Sequence, residues 1–386
     1  MFKKKILSLI LLLGFVGLAL AGNLRVKVFN PGSKAIFPIS STIIYGEKDA
    51  MLIDAQFQKQ YAEQLVKEIK ATGKNLKTIF ISHSDPDFYF GLDVIKKAFP
   101  NSKVISTAQT AYLISASKDD KLSVWKPQLK QDAPAEIIVP EGVDSIPDLE
   151  GNKIELKQNQ NDPAHSFIWI PSLKTALGGI SVSVDSHLWM ADTQNKNAID
   201  QWIAQVDAMK ALNPTQVIPS HFVNYSLSPN ALDFVKNYLE NYKKAVDKSE
   251  NSAGIMQFMT TQYPNLAGNN ELEMGAKVFL GEMDWDLRSP FPAIGKKIEL
   301  DFGTNRLIVN MKDHKTINFI GENGERSLQY SVVEVAKNIF MIDWFDPKTK
   351  VNVVSIQDYN KNIAYSDILK SNGSSEHLKG KIKFLE

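Results

Sequence analysis

The chain has no cysteine among its 386 residues. That removes disulfides, thiolate metal ligands, a thiol nucleophile and a lipid-modified cysteine after an export signal. A chain without thiols suits an oxidising envelope compartment. A basic surplus is missing too, since 44 Lys and Arg stand against 43 Asp and Glu. A nucleic-acid partner or an anionic membrane surface would find no excess of cationic groups to release its counterions. There is no Gly-x-Ser-x-Gly elbow for a serine nucleophile and no glycine-rich phosphate loop for a nucleotide. Internal repeats and long low-complexity tracts are absent as well.

What is present starts with a leader. Met1-Phe2-Lys3-Lys4-Lys5 is basic, residues 6–18 are apolar, and Ala19-Leu20-Ala21 precedes Gly22. This is the layout of a signal peptide, residues 1–21, cut after Ala21. The competing reading is an uncleaved anchor, but the run falls short of the roughly 20 residues a membrane span needs. Cleavage takes away three Lys and no acid, which leaves a net charge near −2. The expectation is a periplasmic or secreted protein with no stable membrane association after cleavage and no nucleic-acid partner.

The length and the 44% hydrophobic content supply cores for two domains. In residues 22–288 short β-rich runs alternate with helical periodicity, the pattern of an α/β domain. Strands are expected near 24–29, 41–45, 50–54, 103–106, 153–156, 166–170 and 175–177. Helical spacing runs from Phe57 through Tyr61, Leu65, Val66 and Ile69, from Gly91 to Phe99, from Ala198 to Met209 and from Phe234 to Val246. Residues 107–148 read as a helix followed by a variable loop, with Trp125 and Leu129 serving either as packing residues or as a lid. From residue 289 to 386 the pattern becomes strand-like. Seven runs at near-regular spacing, 298–302, 306–311, 316–320, 327–334, 338–344, 350–357 and 362–367, predict an antiparallel barrel.

The chemistry gathers at strand ends. Thr78-Ile79-Phe80-Ile81 runs into Ser82-His83-Ser84-Asp85-Pro86-Asp87, and Gln216-Val217-Ile218 runs into Pro219-Ser220-His221. Both are buried-strand patterns that deliver polar side chains at their carboxyl ends, where α/β sheets place their sites. His165 and the loop His187-Leu188-Trp189-Met190-Ala191-Asp192 add further candidates. Asp54, closing Leu52-Ile53-Asp54, either borders this pocket or caps the next helix. Imidazole and carboxylate together suit zinc, and extra carboxylates shift the preference toward manganese or iron. The other reading is a polar pocket without metal, in which His83 and Asp87 only hydrogen-bond. Phe88, Tyr89, Phe90, Trp169 and Trp189 line an apolar pocket or belong to the core.

The string from Ser82 to Gly91, with Trp169-Ile170-Pro171-Ser172-Leu173-Lys174, His187 to Thr193 and Gly275-Ala276-Lys277-Val278, resembles the metallo-β-lactamase-fold hydrolases, most nearly the subgroup labelled Vmh. The resemblance implies an αβ/βα sandwich with metal at one edge. It implies a first metal on His83, Asp85 and His165. Of the second metal's positions it finds Asp87 and His221, while Phe88 and Ile180 stand where ligands are expected. One divalent metal, zinc by preference, is the resulting expectation, with no metal as the alternative. Residues 289–386 resemble the lipocalin-like barrels related to MoaF, through Phe291-Pro292-Ala293-Ile294-Gly295-Lys296, Tyr330-Ser331, Phe340 to Trp344 and Val353 to Ile356.

The fold expected is therefore α/β plus all-β. The function expected is a metal-dependent hydrolase acting on an ester, lactone or similar small substrate. Asp87 would position or deprotonate water, His83, Asp85, His165 and His221 would serve the metal, and Asp54, His187 and Asp192 would be further site residues. The alternative is a catalytically degenerate small-molecule-binding protein.

Overall fold

The computed structural model describes residues 23–158, 165–224, 227–285, 289–303, 305–321 and 324–385. The leader at 1–21 lies outside the described residues. The chain opens with β1 (Arg25–Phe29), β2 (Ser41–Tyr45) and β3 (Asp49–Ile53), followed by α1 (Lys59–Ala71) and β4 (Asn75–Ile81). Next come α2 (Pro86–Tyr89), α3 (Leu92–Ala98), β5 (Lys103–Thr107), α4 (Ala108–Leu129) and β6 (Glu141–Val143). The domain is completed by β7 (Glu155–Lys157), β8 (Phe167–Ile170), β9 (Thr175–Leu177), α5 (Lys196–Ala211), β10 (Gln216–Ile218), α6 (Asn230–Lys248), α7 (Ser252–Gln262) and α8 (Asn269–Phe279).

Two sheets result, ordered β1-β2-β3-β4-β5-β6 and β10-β9-β8-β7. Their facing sides share one apolar layer, in which Ile44, Met51, Ile53 and Phe80 of the first meet Ile168, Ile170, Leu177 and Ile218 of the second. The outer face of the first sheet is covered by α1 and α3, through Leu65, Ile69, Leu92 and Ile95. The outer face of the second is covered by α5 to α8, through Ile199, Trp202, Val235, Tyr238, Ile255 and Leu272. Strands covered on both faces are continuously apolar, which is why β3, the second half of β4 and β8 lack a polar-apolar alternation. This is the αβ/βα sandwich expected.

The region that is hardest to read in sequence, 107–148, begins with the 22-residue α4. Thr107 starts it by accepting from the Thr110 backbone N–H at 2.9 Å. Leu129 is buried and Trp125 stacks edge-on against Phe37 and Phe57, so both pack into the core.

The C-terminal part is a closed antiparallel barrel: β11 (Lys297–Asp301), β12 (Arg306–Met311), β13 (Thr316–Gly321), β14 (Gly324–Ala336), β15 (Ile339–Asp346), β16 (Val351–Asp358), β17 (Ile363–Leu369) and β18 (Ser375–Leu385). It has eight strands where the periodicity predicts seven. Strand β18 pairs with both β17 and β11 and so closes the circle. It also escapes a hydrophobicity reading, since only Gly380 and Ile382 of Ser-Glu-His-Leu-Lys-Gly-Lys-Ile-Lys-Phe-Leu are buried. One end of the barrel is stopped by the other domain. Ala108 and Tyr112 of α4 share a core with Phe291 and Phe340, the Tyr112 ring lying 5.8 and 6.3 Å from those two rings.

Candidate functional site

Strand β4 runs between β3 and β5 and ends at Ile81, so Ser82, His83 and Asp85 emerge at the carboxyl edge of the sheet. Pro86 then starts the single turn α2, in which its fixed φ is compatible and its missing N–H costs nothing. The turn is clamped beneath the end of β3: Ala55 N donates to Phe88 O at 2.7 Å and Gly91 N donates to Gln56 O at 2.9 Å. Gly91 is required by space, because a Cβ there would stand 2.1 Å from the Ala55 carbonyl oxygen. Across the cleft His221, just beyond β10, is held by bridges to Ile39 and Ser183. The two sheets thus bring β4 and β10 to the same edge.

Three arrangements define the site. First, Asp87 Oδ2 lies 2.7 Å from His221 Nε2. The Ser220 hydroxyl lies 3.1 Å from the Val182 carbonyl and 3.1 Å from His221 Nδ1. Both ring nitrogens of His221 thus have a polar partner. Second, Asp85 is gripped by Lys121 of α4, whose Nζ lies 3.0 Å from Oδ1 and 2.8 Å from the Ser84 carbonyl. Burial would raise the Asp85 carboxyl, but Lys121 and His83 overcome it and hold it at about 2. His83 Nδ1 accepts from the Asp85 N–H at 3.2 Å. Burial lowers the His83 pKa against the pull of Asp85. Third, the Asp192 carboxylate accepts from two indoles, Trp189 at 2.8 Å and Trp285 at 2.7 Å. Burial, with Asp85 adding repulsion, pushes it up to about 6.

Asp54 lies one layer below. It takes a left-handed φ of 63° and accepts from the Ser82 backbone at 2.8 Å and from the Ser82 hydroxyl at 2.7 Å, while Ser82 Oγ accepts from Gly179 N at 2.8 Å. It is not a helix cap, since Gln58 occupies that position before α1. Its role is to tie the end of β3 to the end of β4 and, through Ser82, to the Gly178-Gly179 turn. Burial pushes its carboxyl up to about 7.

The remaining candidates are dispersed. The His165 ring lies on Trp202, centroids 4.4 Å apart, and its carbonyl accepts from Ser181 Oγ. His187 is buried on the helical side, where Nδ1 meets the Tyr238 hydroxyl at 2.9 Å and its chain N–H donates to Ala267. The loop 187–192 therefore sends Asp192 toward Asp85 and His187 away from it. Phe88, Tyr89, Phe90 and Trp169 are core, and Phe88 packs beneath both imidazoles, 5.1 Å from His83 and 5.7 Å from His221. Of the five aromatic candidates Trp189 is the one that hydrogen-bonds to a site acid. Two participants have no sequence signal: Lys121 and Trp285 are 36 and 93 residues from the acids they hold.

This donor set does not fit a metal ion. Among the described residues no three His, Asp or Glu side chains converge so as to hold one. Asp85 already faces an ammonium, Asp87 and His221 are closed on each other, and His165 is stacked on an indole. Phe88 and Ile180 have no donor atom. What the arrangement offers is a half-buried polar floor, with ion pairs already made, and an indole wall.

Comparison with known proteins matches residues 36–221 to the metallo-beta-lactamase superfamily and residues 294–383 to the MoaF-like family. A curated relative, the uncharacterized protein YobT of Bacillus subtilis (strain 168), is 28% identical over 94 residues, 24% of this chain and 39% of YobT. The chain thus spans about two fifths of that relative's length. Among solved structures, the metallo-beta-lactamase family protein TTHA1429 of Thermus thermophilus is 10% identical, with 66% of this chain and 91% of that one covered and a TM-score of 0.48. The metallo-beta-lactamase of Pontibacter korlensis is 17% identical, with 57% and 100% covered and a TM-score of 0.38. The superfamily generally binds divalent metals, and its fold is a hydrolase-type scaffold. The chain accordingly joins a metallo-β-lactamase-superfamily domain, at 36–221, to a MoaF-like barrel domain, at 294–383.

Proposed function

We propose that this is an exported protein whose hydrolase-type scaffold binds a small carbonyl compound of the ester or lactone class, with its site altered from a metal centre to a set of internal ion pairs. The observation that carries this reading is the engagement of both acids of the His-x-Asp-x-Asp string, Asp85 by Lys121 at 3.0 Å and Asp87 by His221 at 2.7 Å. Neither acid is left to activate water. Export rests on the leader at 1–21.

Hydrolysis at a mononuclear metal site is the second reading. It is favoured by the approach of His83 Nδ1 to Asp85 Oδ2 at 3.4 Å and by the placement of His165 within electrostatic reach of His83. It requires Lys121 to leave Asp85 and His165 to leave Trp202. Metal content separates the two. Protein purified from the exported fraction, analysed by mass spectrometry for transition metals and titrated with zinc, is expected to carry and take up none. A full equivalent of zinc, lost in His83→Ala, with turnover of ester or lactone substrates, would replace the first reading by the second.

A further inference from the structure

A lysine in the middle of an inward-facing helical stripe needs a reason. On α4 the side chains of Ile114 and Ser117 are buried, and Lys121 continues the same stripe one turn further on. An apolar residue there would extend the core at no electrostatic cost, whereas an ammonium must be matched. It is matched by the Ser84 carbonyl and the Asp85 carboxylate, the two groups that follow His83 at the end of β4. The Lys121 charge is also felt by His83 and by Asp192, so one cation stands among an imidazole and two carboxylates from two separate segments. α4 itself is fixed at both ends, by Tyr112 in the barrel core and by Leu129 in the core of the first sheet. The ammonium is thus delivered by a rigid element, not by a surface side chain that happens to fold over.

We infer that Lys121 is the resident cation of this site, taking the place at Asp85 that a divalent ion would otherwise claim and thereby keeping the centre metal-free. This rests on the reading above that the site has no metal. The physical ground is charge balance. The Asp85 carboxylate, 3.0 Å from the ammonium, is a group that a cation stabilises, and a tethered ammonium meets that need without the loss of freedom that recruiting a free ion entails. Its presence then repels a second cation at contact distance, an effect strong enough at partial burial to suppress binding by orders of magnitude. A salt bridge that served only to staple α4 to β4 would have no such consequence for metals.

The test uses the full mature chain and zinc alone as the probe. Isothermal titration with zinc is run on the wild type, Lys121→Ala, Lys121→Met, Lys121→Arg and the double variant Lys121→Ala/Asp85→Asn, each checked for folding by circular dichroism. Removing the charge is expected to let zinc bind weakly at Asp85, with affinity higher than the wild type on the order of 100-fold. Lys121→Arg should stay blind to zinc, and Asp85→Asn should abolish the gained site. Methionine keeps the length and apolar stem of lysine, so it carries the test where alanine fails to fold. If Lys121→Ala and Lys121→Met fold and remain as blind to zinc as the wild type, the inference about Lys121 is overturned while the metal-free reading stands. If the wild type itself binds an equivalent of zinc, both fall.

Discussion

Asp87 and His221 meet at 2.7 Å across 134 residues of chain, and theirs is the contact that joins the end of β4 to the end of β10. Asp87 is almost wholly buried, and the imidazole is its ion-pair partner there. His221→Ala is expected to cost about 3 kcal/mol, because it leaves a carboxylate in the interior without its partner. Asp87→Ala/His221→Ala should recover a good part of that loss, since no unpaired charge remains. Urea unfolding of the three variants checks this. Additive losses in the double variant would show that the pair is not coupled.

Asp54 makes stability depend on pH in the direction opposite to most carboxyls. Its folded carboxyl titrates at about 7 and its unfolded one near 3.8. Between these values the folded chain holds a proton that the unfolded chain has released, so the Asp54 contribution is full below about pH 4 and declines as pH rises to about 7. Relative to Asp54→Asn, the wild type should therefore lose about 1.4 kcal/mol per pH unit across that window and none above it. Unfolding curves of both proteins at about pH 4.5, 6 and 7.5 measure the difference directly. A flat difference would refute the burial argument.

Gly91 sets how closely the site turn sits under β3. Its φ is ordinary at −76°, so the demand is for space alone: an added Cβ would meet Ala55 O at 2.1 Å and Ala62 Cβ at 2.7 Å. Gly91→Ala is expected to destabilise by about 3 kcal/mol through overpacking. It should also lengthen the Ala55 to Phe88 hydrogen bond, seen as faster amide exchange at Ala55.

Tyr112 is the plug between the domains. Tyr112→Ala should cost about 3 kcal/mol by leaving a cavity against Phe291 and Phe340. Because α4 belongs to the first domain's core as well, the wild type is expected to unfold in one transition and the variant in two, the barrel first. Near-ultraviolet circular dichroism and limited proteolysis along a urea series distinguish these outcomes.

The parts of this architecture that local pattern encodes are legible in the sequence. Strands β2 to β5 and β8 to β10 announce themselves by short β-branched runs, and helices α1, α5 and α6 by apolar residues on one face. His83 and His221 fall at strand ends, as a buried run closing on histidine implies. Helix α7 gives little such signal, and in α8 the apolar face of Leu272, Ala276 and Phe279 is interrupted by Gly275. They carry Gly254 and Gly275, and Gly275 is there because Met190 leaves no room for a Cβ, a constraint that periodicity does not register. Adjacency groups His187 with Asp192, yet nearby residues of a loop face opposite ways, and the neighbour of His187 is Tyr238. Nothing distinguishes Lys121 from the other lysines until α4 is seen to pass the end of β4. The periodicity of the lipocalin-like barrel falls one strand short because the exposed lysines of β18 mask its few buried positions.

Lys297 and Leu385 are register partners, so the final strand lies against the first strand of the barrel. Removing β18 would thus not trim a tail. It would strip the hydrogen bonds from β11 and β17 together, giving the barrel two raw sheet edges where it has none, and each would be a template for pairing with another molecule. A frameshift or proteolytic nick near Ser375 should therefore show itself first as loss of solubility.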